Sequence, residues 1–268
     1  MWDPQAHYYP WLCDPEPIAF RYGDYAPLKR RYLAADYRAD SANWNVVRGV
    51  YIEAEWDPRD PGGEMDFIAQ FIDSGFPTVA IAQARLHHDD CPQVLEAHVQ
   101  HDFVRGVRHK PKPGMMDDAK WRQGYARLAP LGLHFELQAP WRQLDEAARV
   151  ARDFPDTVIV LNHTGLPLDE EIAGWRSAVA ALARFPNVRV KISGLGRVTR
   201  KREVVLGAID LFGTQRAMFA SNYPVDSLCA SFDDIYCDFE EITRGFFEDE
   251  RRALFHDNAL RIYGMERP

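Results

Sequence analysis

The 268-residue sequence has no run of about 18 apolar residues, the length a membrane-spanning helix needs. It is short of positive charge: 32 Lys+Arg stand against 40 Asp+Glu, a formal net charge of −8. That balance argues against a nucleic-acid backbone or an anionic membrane as the main partner. Cysteine is scarce, and Cys13, Cys91, Cys229 and Cys237 show no CxxC spacing. They read as reduced thiols, not as a disulfide framework or a zinc site. The opening MWDPQAHYYPWL has neither the basic nor the apolar region of a signal peptide. A soluble, cytoplasmic protein is expected. A Gly-rich nucleotide turn is also missing. The nearest match, Gly194-Leu195-Gly196, lacks the third glycine and reads as a flexible loop.

What is present is a rhythm. Apolar, β-branched runs fall at 47–54, 78–82, 103–108, 133–138, 157–162, 188–193 and 217–221. Their centres lie roughly 25 to 30 residues apart, the length of one βα unit. Between them, Met65, Ile68, Phe71 and Ile72 share one helical stripe over 64–73. Ile172, Trp175, Val179 and Leu182 do the same over 170–184. Even alternation of strand and helix predicts a parallel sheet, and seven evenly spaced runs favour a closed barrel over a doubly wound sheet. A barrel has eight strands. A helix is expected over 28–40, and residues 3–27, rich in Pro, Asp and Tyr, read as a loop. The opening strand would therefore end at about Met1. The expected fold is an α/β (β/α)8 TIM-type barrel whose first strand is missing from this chain. It is expected as a single domain over 1–268, with an opening loop at 1–27 and a C-terminal helical segment at 245–268.

In such a barrel, functional side chains project from the C-terminal ends of strands. That rule selects Glu53, Glu55, Gln83, Arg85, Arg108, His109, Gln138, Trp141, His163, Lys191, Ser193, Asn222 and Asp226. His163 closes VIVLNH. There an imidazole is either a structural hydrogen-bonding group or one that polarises a carbonyl, shuttles a proton or ligates a metal. Asp226 reads equally as a base for attacking water and as the N-cap of a helix with apolar positions from Leu228. Asn222 can orient water or stabilise an oxyanion, but cannot act as a base. Arg108 is the expected substrate anchor, because guanidinium is the preferred bidentate partner of a carboxylate. Arg200–Arg202 reads as a solvated loop. His87-His88-Asp89-Asp90 reads as a helix start, since Pro92 follows and adjacent histidines diverge. Trp2, Tyr8, Tyr9 and Trp11 are candidates for an aromatic lid.

Several segments in order carry a resemblance: Trp2-Asp3-Pro4, Tyr9–Leu12, Arg105–His109, Val160–Gly165, Val190–Leu195, Met218–Pro224 and His256–Ala259 before Arg261-Ile262-Tyr263. Together they resemble the lactonase branch of the amidohydrolase-related TIM-barrel hydrolases, which includes pyrone-dicarboxylate and sugar-acid lactonases. The resemblance spans essentially the whole chain. It implies a His-x-His pair on the first strand, which this sequence lacks, and an Asp in a Ser-Asp-Trp-Pro turn, where Asn222 stands. The histidine matching His163 is retained. The expectation is a hydrolase opening a lactone or similar cyclic ester of a small carboxylated metabolite. Asp226, His163 and Asn222 would be catalytic, with Arg108, His109, Gln138, Trp141 and Ser193 around the substrate. No metal is expected from this chain as written; Zn or Mn would require an upstream His-x-His pair. A homo-oligomer is compatible with the sequence. A metal-independent decarboxylase or hydratase, and a non-catalytic binding barrel, are the alternatives.

Overall fold

The computed structural model describes residues 1–265. Its centre is a seven-stranded, wholly parallel sheet in sequential order: β1 (Val50–Ile52), β2 (Val79–Gln83), β3 (Val104–His109), β4 (His134–Leu137), β5 (Ile159–Leu161), β6 (Val188–Ile192) and β7 (Ala217–Phe219). Every strand expected from the sequence is present, and the sheet curls as a TIM barrel does. Among the described residues β7 does not pair with β1, so the curl stays open between them.

Two helices precede the sheet, α1 (Pro10–Cys13) and α2 (Ala34–Asp40). Between strands run α3 (Gly63–Asp73), α4 (Cys91–His98), α5 (Ala119–Tyr125), α6 (Leu144–Asp153), α7 (Ile172–Ala183) and α8 (Lys201–Phe212). After β7 come α9 (Phe232–Ile242), α10 (Glu248–Arg252) and α11 (Asn258–Ile262), the last two joined by a π turn over Ala253–Asp257. The helix expected over 28–40 is shorter than that. Tyr32 is buried and its backbone pairs with Trp2, holding the chain extended until Asp36 caps the Leu33 N–H at 2.8 Å. The 87–90 segment does lead into a helix, with Asp90 at the N-cap position of α4.

Strand alternation divides the core into two apolar clusters. Ala80, Ala82, Phe135, Leu137, Ile159 and Leu161 pack outward with helix residues such as Met65, Ile68, Leu144 and Trp175. Val79, Ile81, Val160 and Met218 form a second cluster that also takes in Ile262, Tyr263 and Met265. The C-terminal segment therefore fills space beside the inner faces of the strands. At about 1.5–3 kcal/mol for each fully buried large apolar side chain, both clusters contribute substantially to stability.

The opening segment has its own aromatic core of Trp2, Tyr9, Trp11, Tyr25, Tyr32 and Trp56. Trp11 stacks on Phe20 at 5.9 Å and donates from its indole N–H to the Ala54 carbonyl at 2.8 Å, just beyond β1. Trp2, Tyr9 and Trp11 are thus buried scaffold instead of a lid, and Tyr8 is tied to Asp14 at 2.6 Å.

Candidate active site

Backbone strain marks the mouth of the sheet. Glu55, His163, Thr164, Leu166 and Asn222 have φ between 51° and 59°, a region non-glycine residues seldom occupy. All five lie on segments leaving β1, β5 and β7. Such conformations cost roughly 1–3 kcal/mol each and gather where function fixes a side chain's direction.

On the β1–β4 side an ion-pair wall forms. Arg108 at the end of β3 directs Nε to Glu53 Oε1 at 2.5 Å, Nη2 to the Glu53 carbonyl, and Nη1 to Gln138 Oε1 at 3.1 Å. Glu53 also accepts from Gln83 and from the Glu55 N–H, at 3.1 and 2.7 Å. Burial alone would raise the Glu53 pKa, but Arg108 and Lys110 hold it below its ordinary value. Lys110 pairs with Glu55. A substrate carboxylate reaching Arg108 would compete with a buried carboxylate already bound there.

The β5–β7 side is different. His163 is buried, and its Nδ1 lies 2.8 Å from Ser193 Oγ, just beyond β6. Burial first, then the cations Arg108, Lys191, Lys110 and Arg21, keep its pKa well below the ordinary value, so the imidazole is neutral. Gly194 makes this packing feasible: at φ 65°, a Cβ there would lie 2.8 Å from the His163 ring. Gly194 also lines one cavity together with Ser193 and Asp226, so the two groups share a wall. Asp226 Oδ1 accepts from Tyr22 Oη and from Asn222 Nδ2, each at 2.7 Å. Burial pushes the Asp226 pKa up to about 6, against the lowering effect of these donors. The N-cap alternative fails: α9 starts later, at Phe232, and Ser231 caps it through the Asp234 N–H at 3.0 Å.

Two of the expected substrate residues are placed apart from these groups. Strand alternation turns His109 away from Arg108. Its Nδ1 accepts from Trp121 Nε1 at 3.0 Å and its ring stacks on His87 at 5.5 Å. Burial, then His87, lowers its pKa to about 4. Trp141 donates to Glu171 at 2.7 Å and packs against Gly174 of α7. Arg200 is exposed at the N-cap of α8 and pairs with Glu203 of that helix, so the segment expected as a solvated loop is a helix start, with Lys201 and Arg202 in its first turn.

Tyr22 and Arg21 carry no local sequence signal, because residues 18–22 look like any polar loop. Glu136 likewise falls outside the strand-end selection. This carboxylate is buried between Lys191 Nζ at 2.8 Å, Tyr263 Oη at 2.5 Å and the Asn162 amide. A signal existed for it. His134, Glu136 and Gln138 share one face of a strand whose other face is Phe135 and Leu137, and polar residues there imply a polar barrel interior.

Among the described residues, no three His, Cys, Asp or Glu side chains converge on a point that could hold a metal ion. His163 is turned to Ser193 here, and four cations act on it. A divalent metal needs several converging anionic or imidazole donors. The residues present do not fit one.

No helix is long and apolar enough to cross a membrane among the described residues. The amidohydrolase family profile matches residues 2–265. Protein y4mH of Sinorhizobium fredii is 41% identical, with 98% of this chain and 95% of that protein covered. An L-fucono-1,5-lactonase of Burkholderia multivorans is 30% identical over 62% of this chain and 64% of its own length. A crystal structure of an amidohydrolase from Burkholderia multivorans with bound zinc superimposes with a TM-score of 0.81 at 25% identity, covering 89% of this chain and 90% of that one. With the strand-end chemistry described above, these matches establish that the chain belongs to the amidohydrolase family and is a hydrolase on a TIM-type barrel scaffold.

Proposed function

We propose that this hydrolase opens a lactone or similar cyclic ester of a small carboxylated metabolite, with Asp226 as general base. The observation that carries the assignment is the pair of donors on Asp226, Tyr22 and Asn222, both neutral, near a neutral imidazole. A pKa near 6 leaves the carboxylate mostly ionised at pH 7 yet basic enough to take a proton, the range suited to general-base work. The lactonase named among the relatives supports the substrate type.

In the proposed reaction Asp226 removes a proton from water as its oxygen attacks the ring carbonyl. When Ser193 Oγ–H donates to His163 Nδ1, the Nε2–H is free to donate to the carbonyl oxygen as it becomes an oxyanion. The second amide hydrogen of Asn222 assists. The ring C–O bond then breaks, and the proton held by Asp226 passes to the departing alkoxide. The product is an open hydroxy acid, which ionises to the hydroxycarboxylate and releases a proton to solvent.

The test is a proton-release assay over sugar-acid and pyrone lactones. Ring opening by the wild type, reduced at least about 100-fold in Asp226→Asn, is expected. Inactivity over the whole panel overturns the reading, as does an Asp226→Asn variant that keeps the wild-type rate. Release of carbon dioxide instead would assign a decarboxylase.

A further inference from the structure

Three of the cations at the mouth are held in ion pairs, and Arg21 stands outside them. Arg108 is matched by Glu53, Lys110 by Glu55, and Lys191 by Glu136. Arg21 makes no ion pair among the described residues. It comes from the opening segment, held down by Phe20, which stacks on Trp11 and packs tilted against Tyr25, and neighbours Tyr22, which contacts Asp226. Its Nη2 donates to the Pro167 carbonyl at 2.9 Å and its Nη1 to the Leu166 carbonyl at 3.4 Å, on the segment following His163. The guanidinium acts electrostatically on both Asp226 and His163.

Two features distinguish Arg21 from a surface arginine. Its Nε–H is buried and has no hydrogen-bond partner, which is costly for a charged donor. Its backbone is also fixed, because Arg197 Nη1 donates to the Arg21 carbonyl at 3.0 Å. A half-buried, pre-positioned guanidinium with an unused donor is suited to a planar anion.

We propose that Arg21 is the specificity-determining residue for an anionic substituent, a carboxylate borne on the substrate in addition to the ester that is opened. This rests on the lactonase reading for the reaction, but not for the binding. Arg108 is then a wall residue held by Glu53, and the anion is gripped from the opening segment instead.

The experiment has two arms. In the first, kcat/KM is compared for a neutral sugar lactone and for a lactone bearing a free carboxylate. The wild type should favour the charged substrate, and Arg21→Gln should reduce that preference about tenfold or more, the scale of a hydrogen bond to a charged group. Arg21→Lys, which keeps the charge without the planar fork, should fall between them. Arg200→Gln removes the same charge from the exposed start of α8 and should leave the preference where it was. A preference unchanged by Arg21→Gln, or changed equally by Arg200→Gln, overturns the inference.

The second arm titrates succinate into each protein, followed by tryptophan fluorescence, and needs no turnover. Saturable binding to the wild type, weakened about tenfold or more in Arg21→Gln, is expected. Equal binding to both, or none to the wild type, overturns the inference. If the wild type opens no lactone but succinate binding depends on Arg21, the lactonase reading fails and the anion site stands. Circular dichroism of Arg21→Gln and Arg21→Lys separates loss of fold from loss of the site.

Discussion

Asp226 and Glu136 are both buried carboxylates in the same barrel, but they are surrounded in opposite ways. Glu136 meets an ammonium, Lys191, together with the hydroxyl of Tyr263 and the amide of Asn162. Asp226 receives only neutral donors and carries a pKa of about 6 against an ordinary 3.8. The first is a closed ion pair with its lone pairs used. It ties β4 and β6 to the C-terminal segment. The second is an anion kept without a counter-charge in contact, at a cost of about 3 kcal/mol for a shift of that size. A paired buried carboxylate belongs to the scaffold, while an unpaired one is a candidate for chemistry.

The largest expected effect breaks that contrast at the mouth. Asp226→Asn should reduce kcat by about 10²–10⁴-fold, the usual contribution of a general base. It should also stabilise the fold at pH 7. The sign follows from linkage. The folded pKa lies above the unfolded one, so keeping Asp226 ionised disfavours folding above pH 6. That penalty fades as pH falls from about 6 towards 3.8. A neutral amide removes the penalty, by up to about 3 kcal/mol. Thermal melts at pH 7 and pH 5 check this: the variant's advantage should be present at pH 7 and shrink at pH 5. A variant that loses activity and stability together contradicts the assignment.

Activity should carry the same signature. In the wild type, kcat/KM should fall as pH drops through about 6 and Asp226 takes up its proton. A profile flat from pH 5 to 8 would remove Asp226 as the base.

The opposite change in the interior comes next in size. Glu136→Gln leaves the Lys191 ammonium buried without its partner, and burial already lowers that lysine's pKa. Breaking one side of a buried pair costs about 3–5 kcal/mol. Glu136→Gln with Lys191→Met should recover much of this, because no unpaired charge remains. Denaturant unfolding of the two proteins measures the difference. Equal destabilisation by the single and double variants would mean that the pair does not act as a unit.

These two carboxylates also show what could be read from the sequence. The strands were legible because β-branched runs recur at a fixed spacing. Strand-end placement then pointed to His163, Ser193, Asn222 and Asp226, which the structure gathers around Gly194. The role of Gly194 was invisible, since a two-glycine loop says nothing about which ring it lets approach. Tyr22 and Arg21 reach the mouth because Trp11, Phe20 and Tyr25 pack together, a contact between segments with no local periodicity. Position along the chain puts His109 and Trp141 at strand ends. The pleat that turns Arg108 inward turns His109 towards Trp121, and Trp141 is drawn to Glu171. Position alone does not give direction.

The smallest expected effect tests whether the neutral donors matter to the chemistry. Tyr22→Phe removes one of the two side-chain donors to Asp226 Oδ1 and leaves the ring packing largely intact. The lost hydrogen bond favoured the ionised form, so the Asp226 pKa should rise above about 6. A net hydrogen-bond contribution of about 0.5–1.5 kcal/mol translates into a rise of roughly 0.4–1 pH unit. The acid limb of kcat/KM should move up by that amount, so the loss is clear at pH 6 and small at pH 8. Tyr263→Phe removes the equivalent hydroxyl from Glu136. It should lower stability and leave the acid limb in place, because that carboxylate keeps Lys191 and takes no part in the reaction. If both variants move the limb equally, the two carboxylates are not functionally distinct. If Tyr22→Phe leaves the limb in place, Asp226 does not set it.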